Sequence, residues 1–215
     1  MKRPIDWRLY LVTGRRIAGA RPIEDVVGAA ARGGVTVVQL REKECGTREF
    51  VELARRLKAL LVPFDVPLMI NDRVDVALAV GADGVHIGQS DINFRDARAL
   101  LGPQAAIGLS VETTEQAQEA ESLDAAYLGV SPVFATPTKT DTAPAWGLAG
   151  LGRLRTASRH VMVAIGGITL ENAADVIKAG ADGVAVVSAI CAARDPESAA
   201  RELRRVVDGL LSERP

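Results

Sequence analysis

The sequence predicts an α/β fold, a single (β/α)8 TIM barrel of parallel strands, with one domain covering residues 1–215. Three observations lead there: short apolar runs recur along the chain, helical patterns separate them, and one five-residue motif returns half a barrel later. The runs are LYLVT (9–13), VTVVQLR (35–41), PLMIN (67–71), GVHIG (84–88), AAIGLS (105–110), AAYLGVS (125–131), VMVAIG (161–166) and GVAVVS (183–188). Near-continuous apolar runs of this length are what strands buried on both faces require. Between the second and third, REFVELARRLKALL (48–61) sets Phe50, Leu53, Ala54, Leu57 and Leu60 on one helical face. ENAADVIKAG (171–180) repeats that pattern and stops at a glycine. Strands alternating with helices make a parallel sheet, and eight such units close into a barrel. GADGV at 81–85 and again at 180–184 leads each time from a helix end into a strand. Its glycine, aspartate and strand start read as punctuation of the architecture.

Composition narrows the function classes. The chain has 215 residues, 48% of them hydrophobic, which suits one barrel and leaves no length for a second domain. With 26 basic and 27 acidic residues the net charge is −1, so no global field draws nucleic acid or an anionic membrane. Any anion must then be held by a local site. Cys45 and Cys191 lack metal-type spacing and read as free thiols of a reducing compartment. The apolar run near the start is too short for a signal segment, and nothing reaches the roughly 20 apolar residues of a membrane span. A cytoplasmic protein is expected, and a homodimer is a common state for small barrels.

Active sites of this fold form at the C-terminal ends of the strands, so the polar residues ending each apolar run are the candidates. Strand 2 ends in Gln39, Leu40, Arg41, Glu42 and Lys43, strand 3 in Asn71 and Asp72, strand 4 in His86 to Asp91, and strand 5 in Ser110. Arg41 and Lys43, two apart, would aim to one side as a fork and a point charge, a combination suited to a diphosphate. The competing reading pairs them with Glu42 and Glu44 in a surface patch. Asp72 and Asp91 follow adjacent strands and suit a hard cation such as Mg²⁺. Alternatively they cap the helices that follow. Gly166 and Gly167 after strand 7, with Val187 and Ser188 after strand 8, occupy the loops that hold a phosphate in many barrels. His86 reads equally as a core residue or a base. Phe134, Tyr127 and Trp146 read as packing residues.

The ordered set VQLREK, INDRVDVALAVGADGVHIGQSD, IGLS, SPVFATPTKTD, VAIGGI and VAVVSAI resembles the thiamine-phosphate synthase family along essentially the whole chain. That resemblance implies an Mg²⁺-dependent enzyme joining a pyrimidine diphosphate to a thiazole phosphate, with release of pyrophosphate. Catalysis would fall to Lys139, Arg41 and Ser110, and Gln39, Arg41, Lys43, Asn71, Ser110 and Lys139 would contact the pyrimidine diphosphate. Leu40, Glu42 and Pro137 belong to the same substrate-binding segments. Asp72 and Asp91 would bind Mg²⁺, and Thr136, Thr138, Gly167, Val187 and Ser188 would hold the thiazole phosphate. Gly14 and Ser131 depart from the family's usual residues. A thiazole tautomerase using a histidine base, a non-catalytic thiazole-phosphate binding protein, and another phosphate-binding barrel enzyme are the alternatives.

Overall fold

The structure, a computed structural model, describes residues 4–136 and 144–214. Eight strands, β1 (Leu9–Val12), β2 (Val37–Leu40), β3 (Leu68–Asn71), β4 (Gly84–Ile87), β5 (Ala106–Val111), β6 (Tyr127–Val130), β7 (Met162–Ile165) and β8 (Gly183–Val186), form a closed barrel in sequence order. All pairings are parallel, and β1 closes on β8 through Leu9↔Val184 and Leu11↔Val186. The helices are α1 (Arg15–Ala18), α2 (Ile23–Arg32), α3 (Thr47–Leu61), α4 (Val74–Val80), α5 (Phe94–Leu101), α6 (Thr114–Ala120), α7 (Gly147–Ala157), α8 (Leu170–Lys178), α9 (Ser188–Cys191) and α10 (Pro196–Ser212). Each expected strand is present, one to three residues shorter than its apolar run except β5, which has the same length and ends one residue later at Val111.

Alternation along each strand divides the apolar residues into two cores. Leu9, Leu11, Val38, Leu40, Leu68, Ile70, Val85, Ile87, Leu128, Val130, Val184 and Val186 face outward and pack beneath the helices. Tyr10, Val12, Val37, Met69, Tyr127, Val163 and Ala185 face inward and fill the barrel. Trp7 plugs its base, with ring centroids 4.4 Å from Tyr127 and 5.9 Å from Tyr10. Both cysteines are free, Cys191 buried in the outer core. Among the described residues, no helix is long and apolar enough to cross a membrane.

The repeated GADGV has one structural job done twice. Asp83 accepts from the Leu68 N–H at 3.1 Å, and Asp182 accepts from the Met162 N–H at 2.8 Å, so each aspartate ties its turn to the start of the preceding strand. The second glycines bring backbones together: a Cβ on Gly84 would run into the Ala106 carbonyl and one on Gly183 into the Trp7 carbonyl. Gly183→Ala should therefore destabilise the protein by about 1–3 kcal/mol or more, as overpacking does. Gly209→Ala, in α10 with nothing within 4 Å of the added carbon, should stabilise it by about 0.4–1 kcal/mol. Urea unfolding of the two variants measures both.

Candidate functional site

The strand C-termini open into one cavity of about 1190 Å³. It is lined by Gln39, Arg41, Glu42, Lys43, Asn71, Asp72, Asp91, Ser110, Thr136, Gly167, Val187 and Ser188, so these expected site residues share one space. Leu40 differs: its side chain points outward into the fully buried outer core, which leaves only backbone for a ligand. Pro137, Thr138, Lys139 and Asp141 lie outside the described residues.

The charges beside β2 are sorted by partner. Glu42 binds Arg15 through Nε at 2.8 Å, Glu44 faces Arg16 at 3.3 Å, and Glu49 accepts from both Arg15 terminal nitrogens at 2.9 Å. Glu42 is 8% exposed, and its second carboxylate oxygen is buried without a hydrogen-bond partner among the described residues. The surface-patch alternative is thus corrected: the neighbouring acids are occupied by arginines of α1. Lys43 reaches Asp72 at 2.5 Å. Arg41, whose backbone N–H donates to Thr13 Oγ1 at 2.9 Å, has no carboxylate partner among the described residues. A planar cation in a cavity, without a carboxylate partner among the described residues, suits an anion.

Asp72 and Asp91 are neighbours. Asp72 adopts φ 63°, a left-handed conformation tolerated by aspartate, and its N–H donates to the His86 carbonyl at 2.8 Å. That bond continues the β3–β4 pairing to the point where the chain leaves for α4. Asp91 Oδ2 accepts from the Gly88 N–H at 2.7 Å. Burial pushes the Asp91 carboxyl above its ordinary value, and the Asp72 carboxylate adds to that shift against the pull of Gly88 and Lys43. The capping alternative does not hold: α4 starts after Arg73, and α5 is capped by Asn93, whose side chain accepts from the Arg95 N–H. Among the described residues, no group of three or more His, Cys, Asp or Glu side chains gathers around a metal position. A two-carboxylate site suits a hard cation whose other ligands are water and phosphate oxygens.

Across the mouth, Gly166 and Gly167 have φ of 103° and 64°. A Cβ on Gly167 would come within 2.8 Å of Phe134 Cβ, so the loop after β7 lies directly against the loop after β6. The Phe134 N–H donates to the Gly166 carbonyl at 3.0 Å and fixes that contact. Asn172 Nδ2 donates to the Gly167 carbonyl at 2.9 Å, steadying the turn from below. Gly14 carries no Cβ where one would lie 2.9 Å from Val187 Cγ1, and Ser131 also lines the cavity. Phe134 and Trp146 pack against the outer core, as expected of them.

Several contributors escaped the sequence reading. Tyr10 and Tyr127 sit inside apolar runs, yet their hydroxyls join Gln39 and His86 in the barrel floor. Thr13 and Arg15 act through β2 and Glu42. The signal available was strand alternation: Tyr10, Gln39, His86 and Tyr127 all fall on inward positions.

A closed parallel barrel with an ion-lined cavity at its strand C-termini defines a barrel enzyme. The comparisons name the family. A family model described as thiamine monophosphate synthase matches residues 9–190. A thiamine-phosphate synthase of Albidiferax ferrireducens is 58% identical over 94% of this chain and 93% of its own, and one of Syntrophomonas wolfei is 52% identical over 94% and 96%. A solved thiamine phosphate pyrophosphorylase from Pyrococcus furiosus superposes with a TM-score of 0.89 at 40% identity, covering 97% of this chain and 98% of that one. The chain belongs to the thiamine monophosphate synthase family and is a transferase.

Arg41→Ala should weaken binding of inorganic pyrophosphate by roughly tenfold to a hundredfold, the scale of one hydrogen bond to a charged group. Isothermal titration of the two proteins measures it, and equal affinities would remove Arg41 from the site.

Proposed function

We propose that the protein is a thiamine-phosphate synthase that joins 4-amino-2-methyl-5-(diphosphooxymethyl)pyrimidine to a thiazole phosphate, releasing pyrophosphate and forming thiamine phosphate by a dissociative reaction. The observation that carries this reading is a single cavity with two ends suited to anions. Arg41, Lys43 and Asn71 line one end, and Gly167, Val187 and Ser188 line the other. One anionic substrate would use half of that arrangement.

Charge accounting supports a bound cation. Arg15 is matched by Glu42 and Glu49, Arg16 by Glu44 and Lys43 by Asp72. Among the described residues the cavity's four cations are outnumbered by five carboxylates, so a diphosphate entering this space meets no net positive charge from them. Mg²⁺ held by Asp72 and Asp91 would supply it, offsetting charge on the departing diphosphate. Displaced from Asp72, Lys43 would turn to the phosphate oxygens together with the Arg41 fork and Lys139. As the bond between the pyrimidine methylene and the diphosphate oxygen breaks, its electron pair would leave with the diphosphate, and these cations, once turned to it, would receive that charge. Gln39, Asn71 and Ser110 would hold the pyrimidine part while its methylene cation waits for the thiazole nitrogen. Thr136, Thr138, Gly167, Val187 and Ser188 would hold the thiazole phosphate in line for attack. Water must be kept out during that interval, since it would capture the cation.

A tautomerase reading needs a histidine free to take a proton. Both ring nitrogens of His86 are already engaged, Nδ1 with Tyr127 at 2.7 Å and Nε2 with Ser110 at 2.8 Å, which disfavours it.

Purified protein given both phosphorylated precursors should release pyrophosphate and form thiamine phosphate only when Mg²⁺ is present. Absence of Mg²⁺-dependent product from folded protein would end the proposal. Lys139→Ala should slow turnover by about a hundredfold or more with unchanged melting, the scale of losing one preorganised charge contact.

A further inference from the structure

We propose that His86 is a positioning residue that fixes the Ser110 hydroxyl toward the pyrimidine diphosphate; this rests on the synthase reading. A chain of hydrogen bonds crosses the barrel floor between two site residues. Gln39 Nε2 donates to the Tyr10 hydroxyl at 3.1 Å, and the Tyr127 hydroxyl lies 3.0 Å from the same oxygen. Tyr127 also meets His86 Nδ1 at 2.7 Å, and His86 Nε2 meets Ser110 Oγ at 2.8 Å.

The imidazole tautomer follows the tyrosine pair: a proton given by Tyr127 to Tyr10 goes with an imidazole protonated at Nδ1, and one given by Tyr10 to Tyr127 goes with an imidazole protonated at Nε2. Under either tautomer His86 Nε2 hydrogen-bonds the Ser110 hydroxyl, which keeps its remaining hydrogen-bonding direction for the cavity that it lines.

The backbone makes room for this arrangement. His86 and Tyr127 rings stack with centroids 5.5 Å apart and planes 18° apart. A Cβ on Gly129 would lie 2.9 Å from His86 Cε1, and one on Gly108 would enter the Tyr127 ring. Glycines on β5 and β6 therefore admit the two rings. Burial drives the Tyr127 phenol well above its ordinary pKa, in keeping with a neutral chain.

Two substitutions separate the halves of the imidazole. Gln reaches the position of Nε2 and can hydrogen-bond Ser110, whereas Asn reaches only that of Nδ1. His86→Asn should cost about tenfold in kcat/KM for the pyrimidine diphosphate, the scale of one hydrogen bond, with the KM for thiazole phosphate unchanged. His86→Gln should recover most of that loss. Adding His86→Asn to Ser110→Ala should cause little further loss, because both act through one hydroxyl. Equal losses in the Asn and Gln variants, or losses that multiply in the double variant, would overturn the proposal. A second readout needs no turnover: ¹⁵N NMR of the full chain, with its two histidines assigned by the Gln variant, should show the Nε2 resonance of His86 shifting in Ser110→Ala. An Nε2 resonance indifferent to Ser110→Ala would overturn the contact even if synthase activity is found. Absence of synthase activity with the expected shift would instead sink the substrate reading and leave the hydrogen-bond chain standing.

Discussion

Closure of eight parallel strands with side chains alternating in and out is the constraint on which every other feature rests. Once β1 pairs with β8, no edge strand remains, and each inward residue has its neighbours assigned by register. Outward residues become the floor on which the helices pack, and inward residues fill the barrel axis. The price falls on the backbone at Gly84 and Gly183, where adjacent strands approach too closely for any Cβ. Closure also delivers every strand C-terminus to one mouth, which is why residues as distant in sequence as Arg41 and Ser188 line the same cavity.

At that mouth, pairing decides which charges remain for a ligand. Glu42, Glu44 and Glu49 would surround Arg41 with negative charge if left alone. Arg15 and Arg16 on the four-residue α1 take them instead. These pairs are partly exposed and contribute little to stability. Their consequence is electrostatic: they withdraw competitors from Arg41. The same logic sets Lys43 against Asp72, a contact that must open if Lys43 is to face an anion.

The fold was legible because both of its signals are local. Strand runs and helical faces are written over four to fourteen residues, and the repeated GADGV carries the register of one half-barrel onto the other. Site residues were legible where a polar group breaks an apolar run, as at Arg41, Asn71, Asp72 and Ser110. Leu40 was included with its neighbours although alternation turns it outward. The partners of Glu42 and Glu44 were not legible, since α1 meets β2 only after closure. Asp72 and Asp91 show the same limit. Their spacing from α4 and α5 resembles caps, yet α4 starts after Arg73 and α5 is capped by Asn93. Tyr10 and Tyr127 were hidden most completely, because tyrosine in an apolar run reads as bulk.

Those tyrosines explain how a polar site can stand on a dry core. Buried polar atoms are costly unless each finds a partner, and the Gln39, Tyr10, Tyr127, His86 and Ser110 chain supplies partners from the barrel axis to the cavity. Below it the rings of Trp7, Tyr10 and Tyr127 close the base against water. The floor is therefore apolar beneath and hydrogen-bonding above, and rigid because moving one member would strand its neighbours. The proposed reaction through a cation would need that combination: groups fixed before charge develops, and no route for water from the closed end of the barrel.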